Sequence, residues 1–330
     1  METKQAVFPS QAIQGHSIWQ MRLRRLWKDV KDCRALIIMF LPGLAFFIIF
    51  SYIPMSGVVL AFKRWDGNLG IYGSPWVGFK NFENFFASRY SVRIIRNAVI
   101  LHLLGLAFAF PIPIILAIML NEVLREYFKR TVQTISYFPY FIAPVVMVGI
   151  LKMLFGPDPS TGVVNQIITN VLGGQAVNFL AEKGWFRPLY IGMGIWQGSG
   201  FGAIIYLAAL SAVDVSQYEA AIIDGANRLQ LIWHITIPAI IPTIVILLIL
   251  NLSGLLRAGL ETILLMQSPA TYETADVIET FVYRRGIAGE GGRPDFAFAT
   301  AVGLFQSIVG MILLVIANSI ARKVGETSLW

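Results

Sequence analysis

Six polar or aromatic residues stand in otherwise apolar runs, and their types are those that hold a polar solute: Trp196, Gln197, Tyr206, Asn251, Arg257 and Glu261. Indole and phenol rings stack on the apolar face of a sugar, while amides and a guanidinium bind hydroxyls or a carboxylate. Arg257 and Glu261 are spaced i, i+4, so a continuous helix would pair them on one face. A cation in an apolar run costs on the order of 2.5–3.5 kcal/mol even on lenient scales, so Arg257 needs compensation from Glu261, from water or from an anionic ligand. A plainer role fits the same residues: a solvated Arg257–Glu261 pair near an interface, with Trp196 anchoring a helix.

Other reactive groups are few. Cys33 is the only cysteine, which excludes an internal disulfide and a thiolate metal cluster. His16, His102 and His234 lie far apart in sequence and read as unrelated, so neither a metal site nor a catalytic residue is expected. An intramembrane transferase would need clustered acids, histidines or a metal motif, and the sequence offers none. No Gly-Lys dipeptide occurs, so the chain carries no P-loop, and a nucleotide-driven device must take its ATP and Mg from another chain. Gly194, Gly198 and Gly202 recur every four residues, which suits close approach of another helix better than a phosphate loop.

The elements that position these residues follow from composition. The chain is 56% hydrophobic and 14% charged, with a mean hydropathy of +0.66, whereas a soluble protein carries about 25% charged residues. Lipid is the expected solvent. The net charge of +7 owes much to Arg22, Arg24, Arg25, Lys28, Lys31 and Arg34, just before the first apolar run. Such a cluster suits anionic headgroups and retention in the cytoplasm, and no folded module displays it to a nucleic acid. Six runs, near 35–59, 97–120, 133–155, 189–212, 239–263 and 297–320, are long enough to cross a bilayer as helices. The expected fold is an all-α membrane protein with six transmembrane helices: a basic cytoplasmic segment over 1–34, a membrane domain over 35–320 and a cytoplasmic tail over 321–330. Lys and Arg are divided almost evenly between the two sides, so the N-terminal cluster sets the orientation, with both termini inside. Phe79, Phe82, Phe85 and Phe86 have the spacing of an interfacial helix. Pro139 and Pro144 predict a kink in span three, and Gly286 to Pro294 reads as a mobile glycine-rich loop.

Between spans four and five, on the inner side, lies a short polar and alanine-rich segment over 213–238. Ser216 and Glu219 have capping-box spacing, Gly225 relaxes the backbone, and Pro238 fits the first turn of the next apolar helix. The pattern Glu219-Ala220-Ala221, Asp224-Gly225-Ala226 and Ile235-Thr236-Ile237-Pro238 resembles the EAA signature of ABC-importer permeases. In that family the segment is the coupling helix that docks into the ATPase subunit, with small alanines allowing close approach and Glu219 available to a basic partner.

The resemblance extends over nearly the whole chain after about residue 30. Trp196, Tyr206 to Leu210, Tyr218 to Pro242, Asn251, Tyr272 to Ile278, Tyr283 to Gly286 and Ala301 to Gln306 look like the carbohydrate-uptake permeases of ABC importers. Pro42-Gly43, Gly78 to Phe82 and the ending from Ala317 to Trp330 are similar to the subgroup for complex oligosaccharides and polysaccharide fragments. This implies a type I ABC importer permease fold in the bacterial inner membrane. The implied partners are a second homologous permease subunit, two ATPase subunits that bind ATP and Mg, and an extracytoplasmic solute-binding protein. Leu256-Arg257-Ala258-Gly259-Leu260 departs from the acidic-aromatic stretch expected after Asn251, and an arginine there points to an acidic glycan such as a uronate oligomer. An ABC importer for another solute, and a secondary transporter, stay open on sequence alone.

Overall fold

The computed structural model describes residues 32–160, 162–289, 292–325 and 329. Nearly all of the expected cytoplasmic segment 1–34 therefore lies outside the described residues. The chain divides into two compact units, Met1–Val58 and Val59–Trp330. Among the described residues the only β pairing is an isolated antiparallel bridge between Lys63 and Trp76; everything else regular is helical.

Among the described residues five helices are long and apolar enough to cross a bilayer: α1 (Arg34–Phe62), α3 (Ser91–Asn121), α6 (Lys183–Ser211), α8 (Arg228–Leu252) and α11 (Phe296–Val324). A sixth crossing is made by two shorter helices, α4 (Glu126–Phe141) and α5 (Pro144–Leu154), which meet at 101°. Smaller helices lie between them: α2 (Lys80–Phe86), α7 (Val215–Ile223), α9 (Leu260–Met266) and α10 (Ile278–Val282).

Span three is thus broken, not kinked. Pro139 and Pro144 both lack an N–H, and the residue before Pro144 is driven out of the helical region, with Ala143 extended at φ −61, ψ 144. A break at membrane depth leaves carbonyls without partners, and Gln197 of α6 meets one of them, donating from Nε2 to Ile142 O at 2.9 Å.

Three other prolines are absorbed differently. Pro54, Pro111 and Pro238 each follow by two residues a widened π turn, at Ile48–Tyr52, Gly105–Ala109 and Ile232–Thr236. The carbonyl four residues before each proline, with which its ring would clash, falls inside that wide turn. Pro238 lies in the first turn of the α-helical part of α8, Ile237–Leu252, as the sequence suggested, although the helix as a whole begins at Arg228.

Span five as a whole runs earlier than the expected 239–263. Helix α8 stops at Leu252, and residues 253–259 form turns and an extended stretch before α9 begins. Spans two and four also begin six residues early, because Arg93, Arg96, Lys183 and Arg187 are carried on helix ends that a hydropathy window discards. The helix of the expected aromatic patch, α2, is not simply interfacial. Phe79 is exposed, but Phe85 is 1% exposed and packs on Phe298 and Phe305 of α11.

Within the larger unit the core forms two clusters. One gathers Ile94 and Leu101 of α3, Met147 and Leu151 of α5, Phe186 and Met193 of α6, Ile263 of α9 and Phe298 of α11. The other joins Ala117, Ala203, Tyr206, Leu210 and Ile240, from α3, α6 and α8. Outward faces stay apolar, as at Phe108, Met311 and Ile320, as expected of helices solvated by lipid.

One polar knot ties the segment between α9 and α11 to the bundle. The Asp276 carboxylate, 0% exposed, accepts from Arg284 at 2.8 and 2.9 Å, from Arg93 of α3 at 3.2 Å and from Thr280 at 2.8 Å. Beside it Asn97 donates to the carbonyls of Glu273 and Asp276 and accepts from Arg187 of α6 at 3.0 Å. Gly286, expected in a mobile loop, is helical with its neighbours Tyr283–Ile287 and lies so close to α11 that a β-carbon would fall 2.5 Å from Ala299 Cβ.

Helix α6 is seated by one glycine outside the expected stripe. A β-carbon on Gly200 would lie 1.9 Å from Ser136 O of α4, and one on Gly202 3.1 Å from Pro113, whereas at Gly194 and Gly198 it would meet nothing within 4 Å. Within this chain the close approach belongs to Gly200 and Gly202, because the stripe through Gly194 and Gly198 faces open space. Gly200→Ala is expected to destabilise the purified protein by about 1–3 kcal/mol through overpacking. Gly198→Ala is expected to leave its melting temperature unchanged; equal melting of both variants would refute this seating.

Candidate functional site

A cavity of about 660 Å³ opens between the two core clusters, bordered by α3, α6, α8 and the 257–262 segment. Polar side chains cannot join either apolar cluster, so they collect at this gap. Of the six residues expected on a solute path, Gln197, Tyr206, Asn251 and Arg257 line it. Tyr206 is 3% exposed, with its ring in the second cluster and its edge on the cavity. Gly194, Gly198 and Gly202 form part of the wall, where the missing side chains leave room for an occupant.

Trp196 and Glu261 are elsewhere. Trp196 is one residue, hence about 100°, around α6 from Gln197, and it borders a separate apolar cleft of about 450 Å³ with Met147, Leu151 and Phe155. Glu261 is exposed in the first turn of α9 and does not line the cavity. The expected helical pair of Arg257 and Glu261 does not form, since the helix that would have carried both ends at Leu252.

Arg257 is instead presented by a fastened loop. Ala258 N donates to Glu279 Oε1 at 2.9 Å, Gln306 Nε2 donates to Leu256 O at 2.9 Å, and Gly259 N donates to Tyr190 Oη at 3.3 Å. Burial pushes the Glu279 carboxyl up, and the amides of Glu279 and Ala258, Gln306 and the Arg257 charge oppose that rise. Among the described residues the Arg257 guanidinium forms no hydrogen bond or ion pair of its own.

Sequence reasoning missed four polar lining residues: His102, Tyr190, Ser199 and Thr262. His102 was legible in principle, as the one ionisable group inside the apolar part of span two. Tyr190 and Thr262 carry no such signal; they come together because the turn before α9 returns to α6, where Gly259 N meets Tyr190 Oη.

The second candidate surface is the segment over 213–238. Asp214, not Ser216, caps α7: its carboxylate accepts from Ser216 N at 2.9 Å, so the helix starts a residue before the expected capping box. A capping box does occur, one helix later, between Asn227 and Gln230. Gly225 has φ +84, and the bonds Gly225 N to Ile222 O and Ala226 N to Ala221 O close α7 as a Schellman motif. Beyond it Ala221, Asp224, Gly225, Ala226 and Ile235 border a hollow of about 270 Å³ with Gln230 and His234, while Glu219, Ala220 and Pro238 lie outside it. Ile222, Ile223, Leu229 and Trp233 are 58, 85, 68 and 65% exposed around this segment. Large apolar side chains grouped on a polar turn form a contact surface.

A multi-pass helical membrane protein with a cavity between its helices that is lined by apolar and polar residues together, and with a short exposed apolar surface on one connection, fits a transport subunit. The chain belongs to the family of binding-protein-dependent transport system inner membrane components, which it matches over residues 109–326. It is 41% identical over 330 residues, 100% of both chains, to the polygalacturonan/rhamnogalacturonan transport system permease protein YteP of Bacillus subtilis (strain 168). It is 44% identical over 301 residues, 91% of this chain and 92% of the relative, to protein LplB of the same organism. Among solved structures, a chain of a bacterial ABC transporter involved in the import of the acidic polysaccharide alginate superposes with a TM-score of 0.81 at 42% identity, covering 91% of this chain and 99% of the other. The six-span permease fold expected from sequence is therefore the fold observed.

Proposed function

We propose that this chain is the membrane permease of an ATP-driven, binding-protein-dependent importer of acidic oligosaccharides or polysaccharide fragments. The observation that carries the substrate class is Arg257, held by its backbone on the wall of a largely apolar cavity with no carboxylate bonded to it. A uronate carboxylate supplies the missing anion, while Asn251 and Gln197 offer amide groups to hydroxyls and Tyr206 a ring edge. Relatives support the class: one is named for polygalacturonan and rhamnogalacturonan, and the alginate importer has been solved with its periplasmic protein holding an alginate pentasaccharide.

In this reading a second permease subunit completes the passage, and two ATPase subunits bind ATP and Mg. The 213–238 segment lies on the cytoplasmic face of the inner membrane with both termini, and receives the ATPase movement. The binding protein delivers substrate to the opposite face, which carries residues 264–296. The chain itself performs no chemistry; it alternates access to the cavity.

Arg257→Gln tests the substrate class. In proteoliposomes holding the complete importer, uptake of acidic oligosaccharides is expected to fall about ten-fold or more, a charge-assisted bond being worth roughly 1.5–3 kcal/mol, with neutral oligosaccharides spared. Equal loss for acidic and neutral substrates, accompanied by a lower melting temperature, would make Arg257 a structural residue and remove the argument for an acidic glycan.

A further inference from the structure

A second, larger hollow of about 910 Å³ lies at the end of the bundle where α3 begins, walled by Tyr90, Arg93, Tyr272, Glu273, Arg284 and Arg285 among others. Its charges are unevenly engaged. Arg93 and Arg284 share the buried Asp276, and Arg93 Nε is buried without a partner. Glu273, the one acid on the wall, is bridged to Lys183 at 2.8 Å and interacts more weakly with Arg93, which leaves Arg285 without a bonded acid. Arg285 has only the ring of Phe298 beneath it, 4.2 Å from its guanidinium carbon, and forms no ion pair among the described residues. The wall therefore holds a net positive charge in a recess with the volume of a small-ligand site.

We propose that this recess is a binding site for a uronate carboxylate outside the membrane cavity, with Arg285 as its principal contact. The proposal rests on the acidic-oligosaccharide reading above and adds a site to it. The two hollows lie one after the other along α3. Arg93 borders the outer recess and His102 the membrane cavity, nine residues apart on α3, which is about 13 Å along a helix. Asn97, fully buried between them and bonded to Arg187 and to the Asp276 carbonyl, closes the direct line, so the two hollows are separate stations. Tyr90 and Tyr272 are already covered on one face by Arg93 and Arg284, at 5.0 and 4.5 Å, which fixes the rings and leaves the carboxylate contact to the guanidinium not held by an acid. A fork of five donors on Arg285 suits a planar carboxylate bound through two oxygens.

The test uses the complete importer with its binding protein in proteoliposomes, with trigalacturonate and its fully methyl-esterified form as probes. Arg285→Gln is expected to raise the half-saturating trigalacturonate concentration about ten-fold with no change in melting temperature, and to leave the ester unaffected. Arg285→Lys is expected to recover only part of the loss, because the charge remains while the two-oxygen contact does not. An unchanged half-saturation in Arg285→Gln overturns the proposal, and so does an equal loss for acid and ester, which would mark the recess as a contact for the binding protein. Failure of the underlying reading is seen without any variant: the unmodified importer would then take up neutral trimers and ignore trigalacturonate.

Discussion

Replacing Gly225 by proline is expected to abolish coupled uptake while the protein still inserts in the membrane. Gly225 sits at φ +84 and donates its N–H to Ile222 O at 3.0 Å. Proline fixes φ near −65° and has no N–H, so both the left-handed turn and the closing bond of α7 are lost. The hollow bordered by Ala221, Asp224 and Gly225 would be rebuilt, but the apolar spans on either side need nothing from this turn. Reconstituted with its partners, the variant should hydrolyse ATP without responding to loaded binding protein, and substrate uptake should drop to background. Gly225→Ala, which keeps the N–H and meets only the left-handed penalty of roughly 1–2 kcal/mol, should retain partial coupling. Normal uptake by the proline variant would show that the 213–238 segment does not transmit ATPase movement.

Asp276→Ala is expected to cost the most stability of any single change considered, about 3–5 kcal/mol, because it strands two guanidinium groups around an emptied site. The carboxylate is fully buried and both its oxygens are engaged by Arg284, while Arg93 and Thr280 add further bonds. Deleting one arginine leaves the other pair intact, so Arg93→Ala should cost less than Asp276→Ala. Arg93 also keeps 29% of its side chain exposed, against 16% for Arg284. Thermal unfolding of the purified protein in one detergent orders the two variants. An Asp276→Ala protein that melts with the parent would mean that the knot does not hold the 269–285 segment to α3.

The broken elements explain which parts of this arrangement were readable beforehand. Run length and hydropathy located every crossing, because a bilayer demands about 20 apolar helical residues whatever the neighbours do. They misplaced the ends, because Arg93 and Lys183 are tolerated on helices once Asp276 and Glu273 pair with them, and those acids come from another part of the chain. Pro139 and Pro144 announced a weakness in span three; that it opens to 101° depends on Gln197 reaching across to Ile142 O. The spacing of Arg257 and Glu261 suggested a pair, and failed because α8 ended first.

By itself, then, the sequence determined the solvent, the number of crossings, the left-handed turn at Gly225 and the choice of polar residues that must avoid lipid. These follow from local chemistry: backbone groups need internal partners in hydrocarbon, only glycine adopts φ +84 cheaply, and a buried charge needs an opposite one. Only tertiary structure decided the rest. It split the six candidate path residues between a cavity, a separate cleft and an exposed helix start, and it brought Tyr190, Thr262 and His102 to the first of these. It also gathered Arg93, Asp276 and Arg284 from distant positions in the chain, because a cation's partner inside a membrane bundle is set by which helices pack together, and spacing along one helix does not encode that.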